Sequence, residues 1–214
     1  MKKFAWLFFI VISLGLSSCI DLLDEITLHD NKSGSVFIGI ESELLGSIMK
    51  MAKDQIQADK LNNIEHFPNK SKDKLEAIQG ISNVNALSQI NKGRLGISFD
   101  FANPKALNNA YYALVDMEKK WYEPKIVKIG KHKISRPNFT PQIIKQIELE
   151  NPEFKNSEYL KYLNLKTIIK LPRKSTTAVS GGKKELKNSN MIVIRNSFVE
   201  ILNEQKSTAY KIRF

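Results

Sequence analysis

Apolar positions along the chain switch between the two-residue alternation of strands and the three- and four-residue spacing of helices. Glu25-Ile26-Thr27-Leu28 and Ser35-Val36-Phe37-Ile38-Gly39-Ile40 predict two strands, with Asp30-Asn31-Lys32-Ser33-Gly34 between them as a hairpin turn. Ser42 is placed to cap a helix whose Leu44, Leu45, Ile48, Met49, Ala52 and Ile56 recur on one face. Residues Asp59 to Lys72 are polar and contain Pro68, so a loop with a short helical turn is expected, then a short helix from Asp73 to Gln79 ended by Gly80.

A second hairpin is predicted from Ile81–Ile90 and Leu95–Phe101 across Asn91-Lys92-Gly93-Arg94, and Leu95, Ile97, Phe99 and Phe101 alternate in its outgoing arm. Asn103 followed by Pro104 opens a helix lined by Leu107, Ala110, Tyr111 and Leu114 and running to about Lys119. Ile126–Ile129 and Lys133–Phe139 read as a polar hairpin across Gly130-Lys131, and Thr140-Pro141 starts a helix to about Glu150 that Pro152 stops. The front half of Tyr159–Leu171 fits helix or strand, but Leu165, Thr167, Ile169 and Leu171 alternate and favour a strand. Ser180-Gly181-Gly182 and Asn188-Ser189-Asn190 are turns around a short segment. Met191–Arg195 is a strand, Ser197 a cap for a helical turn through Leu202, and Thr208–Phe214 a closing strand with Tyr210, Ile212 and Phe214 on one face. Hairpins interleaved with capped amphipathic helices predict an α+β fold, a mostly antiparallel sheet with helices packed on it.

The start of the chain decides where that fold resides. Lys2 and Lys3 form a positive leader, and Phe4–Leu16 an apolar run too short for a stable transmembrane helix, as in a secretory signal. Leu16-Ser17-Ser18-Cys19 then resembles the bacterial lipobox. The resemblance implies cleavage before Cys19, two acyl chains on its thiol side and acylation of the new amine, which exceeds the two-signal threshold for stable anchoring. Cys19 is the only cysteine of the 214 residues, so no intramolecular disulfide is available and the fold must rest on its core. The expected organisation is a signal peptide over 1–18 and one tethered domain over 19–214. With the first strand starting near Glu25, Ile20 to Asp24 form a link of at most roughly 20 Å. Ile20 in place of aspartate after the cysteine lacks the inner-membrane retention residue, so the outer membrane facing the periplasm is the expected address in a Gram-negative source.

Charge adds a question of partner. The formal net charge is +11 and falls to +9 without Lys2 and Lys3, with lysine well in excess of arginine. Abundant Lys, Asn and Ile also follow from drift toward adenine and thymine, and net charge by itself names no partner. Nucleic acid is disfavoured, since no helix-turn-helix, zinc-finger or aromatic RNA-binding pattern accompanies the lysines. Lys119, Lys120, Lys125, Lys128, Lys131, Lys133 and Arg136 crowd one short region and are the candidate contacts for anionic lipid. Genomic drift would scatter them over all faces.

Several short motifs together resemble the LppM-type domain of bacterial lipoproteins: the acidic-apolar strand after Cys19, the Asn31-Lys32-Ser33-Gly34-Ser35 hairpin, and Gly80-Ile81-Ser82-Asn83-Val84. Further on are Ile97-Ser98-Phe99-Asp100-Phe101 leading to Leu107-Asn108-Asn109-Ala110, then Leu171-Pro172, Gly181-Gly182 and the terminal strand. The resemblance implies a mixed sheet with helices on it, an envelope role associated with lipids or glycolipids, and no catalytic residues to carry over. The lysine-rich middle, Lys119 to Lys145, departs from that pattern.

Tests for chemistry fail one by one. His29, His66 and His132 stand singly, without the spacing that places two ligands on one helix face, so no metal or other cofactor is expected. Gly181-Gly182-Lys183-Lys184 lacks the first glycine and the Ser or Thr of a phosphate loop, and no Gly-x-Ser-x-Gly elbow occurs. Asp24 and Glu25 are adjacent on a strand and point to opposite faces, and Asp100 between two phenylalanines marks a solvated face. A non-catalytic binder remains. One reading holds lipid or glycolipid in an apolar pocket with a basic rim, walled by Leu44, Ile48, Met49, Ala52, Leu107, Tyr111 and Leu114 against the alternating strands. The other is an interaction lipoprotein with a closed core that docks an envelope protein, whose identity the sequence leaves open.

Overall fold

A computed structural model describes residues 20–43, 45–47, 58–115, 123–150 and 158–214. The fold is α+β. The larger sheet has the order β3-β4-β2-β1-β7-β10-β9, from β1 (Ile20–Leu28), β2 (Gly34–Glu41), β3 (Ile81–Gln89), β4 (Arg94–Phe101), β7 (Leu163–Lys170), β9 (Lys183–Asn188) and β10 (Met191–Ser197). Every neighbouring pair is antiparallel except the central one, where β1 runs parallel to β7 with Ile20 beside Leu163 and Thr27 beside Lys170. A smaller antiparallel sheet, order β5-β6-β11-β8, is built from β5 (Lys128–Ile129), β6 (Lys133–Arg136), β8 (Thr177–Ser180) and β11 (Tyr210–Arg213). The chain therefore ends on a strand held on both sides.

The first hairpin forms as its sequence dictates. His29 N–H donates to the Ser33 carbonyl, and the Asn31 side chain accepts from the Ser33 amide and hydroxyl. At the second hairpin Ile90–Lys92 make a 3-10 turn closed by Gly93 at φ 73°, where a side chain would meet the Ser42 carbonyl. Asn103 caps α2 (Pro104–Leu114), its side chain accepting from the Lys105 and Ala106 amides. Helix α3 (Thr140–Glu150) and the short α4 (Phe198–Leu202) lie where expected, although the Ser197 side chain makes no capping bond.

Several expectations are corrected. Strand β1 begins at Ile20 instead of Glu25, because Asp21 and Asp24, which argued for a polar link, are neutralised by cations of neighbouring segments and can be buried. The link of five residues therefore does not exist. The stretch taken as a loop around Pro68 is part of helix α1 (Ala58–Glu76). Pro68, Ser71 and Leu75 are buried at helical spacing against β3 and β4, and that packing outweighs the roughly 3 kcal/mol that an interior proline costs. Ser180, expected in a turn with Gly181 and Gly182, is the last residue of strand β8, and the Gly181-Gly182 turn carries the chain from the small sheet to the large one. A side chain at Gly181 would collide with the Ser207 carbonyl, and one at Gly182 with the Asn196 amide. The helix expected from Ser42 is described only over 45–47. Helix α2 ends at Leu114 with Val115 as its C-cap, short of the Lys119 expected.

The main core lies between the two sheets and helices α1 and α2. Ile26, Val36, Ile97, Phe99, Phe101, Leu75, Leu107, Ile134, Ile169, Ile192 and Ile212 interlock in one cluster. Full burial of each large apolar side chain contributes roughly 1.5 to 3 kcal/mol. Leu107 and Tyr111 belong to the same cluster as Val36, Ile97, Phe99 and Phe101, so the described parts of the faces expected to wall a pocket are closed on each other. Leu44, Ile48, Met49 and Ala52 lie outside the described residues. A second cluster of Ile144, Leu160, Phe198 and Leu202 sits at the Ile20 end of the large sheet, joined by Leu22, Leu163 and Leu165.

Candidate functional site

The two sheets treat charge in opposite ways. On the face of the large sheet turned from the core, acids of β1 and β2 meet bases of β4, β7 and β10. Lys166 meets Glu41 at 2.7 Å and Asp21 at 3.2 Å, Arg195 meets Asp21 at 3.0 Å, and Lys170 meets Glu25 at 2.5 Å. Arg94 lies between Glu25 and Glu41, at 3.8 and 3.6 Å, with its guanidinium 4.4 Å above the Phe37 ring. Bonds to Glu41 and Asp21 outweigh the burial that would lower the Lys166 pKa, and hold it above the usual lysine value.

The small sheet is unmatched. Its inner face presents Ile134, Arg136, Tyr210 and Ile212 to the core, so alternation turns the residues between them outward. Pairing register then aligns Lys128, Ser135, Lys211 and Val179 in one row and Lys133, Arg213 and Thr177 in the next. Lys128, Lys133, Lys211 and Arg213 are exposed and have no ion pair among the described residues, and the four strands contain no acid. Val179 stands 63% exposed in this row.

Two open clefts meet at Lys128. One, about 700 Å³, is lined by Pro104, Val127, Ile129 and Asn108 with Lys105, Lys125 and Lys128 at its rim. Its wall is fixed by Asn108, whose amide donates to the Val127 and Pro104 carbonyls at 2.8 and 2.7 Å and whose oxygen accepts from the Val127 amide at 3.0 Å. The other, about 500 Å³, lies on the outer row of the small sheet, between Lys128, Ser135, Pro137, Val179 and Lys211. Both volumes fall in the usual ligand range of about 300 to 1,000 Å³.

Arg136, expected with the lysines, is inside. Its side chain is 9% exposed and its guanidinium meets Asp24 at 2.5 Å, with the Tyr111 hydroxyl donating to the other Asp24 oxygen at 2.7 Å. The same guanidinium lies 5.5 Å from the Tyr111 ring centre and 5.4 Å from that of Tyr210. Burial alone would lower the Arg136 pKa, but Asp24, Tyr210 and Tyr111 together outweigh it and keep the group charged. Burial, then Asp24, raises Tyr111 well above the ordinary phenol value. Burial also pushes Tyr210 up to about 12, with Arg136 opposing. The cluster therefore rivets β1 of the large sheet to β6 and β11 of the small one, and Arg136 and Tyr210 also line the second cleft.

The remaining predicted residues divide cleanly. Lys125 and Lys128 rim the first cleft, Lys131 is exposed in the β5–β6 turn, and Lys133 is on the outer face. Lys119, Lys120 and Cys19 lie outside the described residues. Lys105, Lys211 and Arg213 were missed. For the last two the signal was present: if Tyr210, Ile212 and Phe214 face inward, Lys211 and Arg213 face out. His29, His66 and His132 are exposed, and no group of three or more His, Cys, Asp or Glu that could hold a metal occurs among the described residues. Asp100 accepts from the Asn83 amide at 2.7 Å. No helix among the described residues is long and apolar enough to cross a membrane.

No family model matches the chain, and no curated protein matches it. Among solved structures, the chain is similar to the NMR structure of the folded domain of the Mycobacterium tuberculosis LppM protein, at 10% identity and a TM-score of 0.40 over 92% of this chain and 91% of that one. So distant a likeness assigns no site residue and no ligand.

Proposed function

We propose that the chain is a non-catalytic bacterial envelope lipoprotein, a signal peptide over 1–18 followed by a single domain over 19–214, anchored by acyl chains on Cys19. The expected address is the outer membrane, facing the periplasm. The domain binds the anionic head group of a lipid or glycolipid at the clefts around Lys128, with Lys125, Lys131 and Lys133 contributing and Lys119 and Lys120 extending the basic region. The observation that carries this reading is the contrast between strands: the cations of β4, β7 and β10 in the large sheet meet acids of β1 and β2, whereas Lys128, Lys133, Lys211 and Arg213 of the small sheet have no ion pair among the described residues. A cation near an anionic surface contributes about 1 kcal/mol, so four or five together give useful affinity without a deep pocket.

The closed core supports the second reading, docking of an envelope protein, because the faces that would have walled an acyl pocket are spent on each other. The two separate in one experiment. Native mass spectrometry of the non-acylated chain, mixed with envelope lipid extract, should retain an anionic lipid or glycolipid and lose it in the Lys128→Glu, Lys211→Glu variant. Retention of no lipid, together with equal binding to neutral and anionic liposomes, would leave docking as the function.

A further inference from the structure

The correction at Ile20 determines how an anchored domain stands. If Cys19 carries the acyl chains, its backbone lies at the membrane interface, and the next residue is already hydrogen-bonded into the centre of a seven-stranded sheet. No slack remains for the domain to choose its orientation. We infer that the domain is seated upright on its bilayer through the end formed by the 3-10 segment Glu158–Tyr162, α3 and α4, with Tyr162 and Leu149 in the interface and the basic face held clear. This rests on the Cys19 anchor proposed above.

Two independent features converge on that end. Ile20 pairs with Leu163, so Tyr162 and Lys161 are the chain neighbours of the residue beside the anchor. Tyr162 is 43% exposed, with the Lys161 ammonium 5.0 Å from its ring centre. That combination suits an interface, where an aromatic ring sits at head-group level and a lysine stem lies along apolar surface while its charge reaches phosphate. Leu149 is 70% exposed two residues beyond Ile147, which packs on the cluster at this same end. Large exposed apolar side chains are few among the described residues, and two of them fall here. Charge at this end is mixed, Lys145, Lys161 and Lys206 against Glu148, Glu200 and Glu204, so apolar contact and not attraction to head groups would seat it.

The basic face lies higher. Arg136 and Tyr210 are level with Asp24, four residues up β1, or about 13 Å at 3.3 Å per residue. The small sheet rises from there: the Arg213 carbonyl accepts from the Thr176 amide, close beyond the end of β7, which pairs with Thr27. Lys133, Arg213 and Thr177 are thus about 20 to 26 Å above Ile20. Screening in physiological salt acts over about 8 Å, so the anchoring bilayer exerts little pull on these cations. Their anionic ligand must reach the face from elsewhere, either raised out of the membrane or carried on an opposing surface.

The test uses the acylated full chain in equimolar phosphatidylethanolamine and phosphatidylglycerol vesicles. Because acylation consumes the Cys19 thiol, Tyr162→Cys, Leu149→Cys, Lys161→Cys and Thr177→Cys each supply one labelling site for an environment-sensitive fluorophore. All four positions are exposed, and an unchanged urea midpoint verifies each fold. Quenching by head-group-proximal nitroxide lipid should be several-fold greater at 149, 161 and 162 than at 177. Greater quenching at 177 would mean the basic face lies on the bilayer, and quenching nowhere would mean the domain stands off; either overturns the inference while leaving the anchor intact. Absence of acyl mass on Cys19, with loss of vesicle flotation, would overturn the anchor and the inference together.

Discussion

Replacing Asp24 with alanine should be among the most damaging single changes available in this protein. The carboxylate accepts from the Arg136 guanidinium and the Tyr111 hydroxyl, and both members of the ion pair are 9% exposed. Its removal strands a charged guanidinium and a phenol without their acceptor at the junction of the two sheets. Breaking a buried pair by deleting one partner costs about 3 to 5 kcal/mol, a large part of the roughly 5 to 15 kcal/mol that holds a domain folded. With a urea slope of about 2 kcal/mol/M, the midpoint should fall by about 2 M. The triple variant Asp24→Leu, Arg136→Met, Tyr111→Phe removes every group that needs the carboxylate, so it should recover most of the loss. Urea unfolding followed by circular dichroism measures both. A cost below about 1 kcal/mol for Asp24→Ala would refute the argument that this pair bridges the sheets.

The same cluster predicts alkaline sensitivity. Tyr210 is raised to about 12 and Tyr111 above its ordinary value, so their stabilising contribution is complete below pH 10 and is lost as pH rises toward 12, when unfolded tyrosines ionise and folded ones do not. Stability should fall by up to about 1.4 kcal/mol per pH unit for each of the two, and tyrosinate absorbance should appear with unfolding. Lys128→Glu with Lys211→Glu should abolish salt-sensitive binding to anionic liposomes yet shift stability by less than about 0.5 kcal/mol, because neither lysine has an ion-pair partner among the described residues. Cys19→Ala should abolish acyl labelling and detergent-phase partitioning. Protease applied to intact cells should spare the domain if it faces the periplasm, and cleavage without lysis would contradict that address.

How much could be read in advance depended on whether a residue's fate was local. Asn103-Pro104 capped a helix, Asn31 and Gly93 shaped their turns, and the alternation of Leu95 to Phe101 and of Tyr210 to Phe214 marked faces correctly, since each needs only near neighbours along the chain. Pro68 misled because its local preference against helix was overruled by the packing of α1 on β3 and β4, the strands that follow it, which lies outside the window that local preference reads. The acids of β1 misled for the same reason. Asp21 and Asp24 are polar in sequence, and only the arrival of Lys166, Arg195 and Arg136, more than a hundred residues later, makes their burial affordable. That burial moves the start of the strand from Glu25 to Ile20, which removes the five-residue link expected after Cys19. A set of long-range ion pairs, invisible to periodicity, thereby decides where the central strand of the large sheet begins.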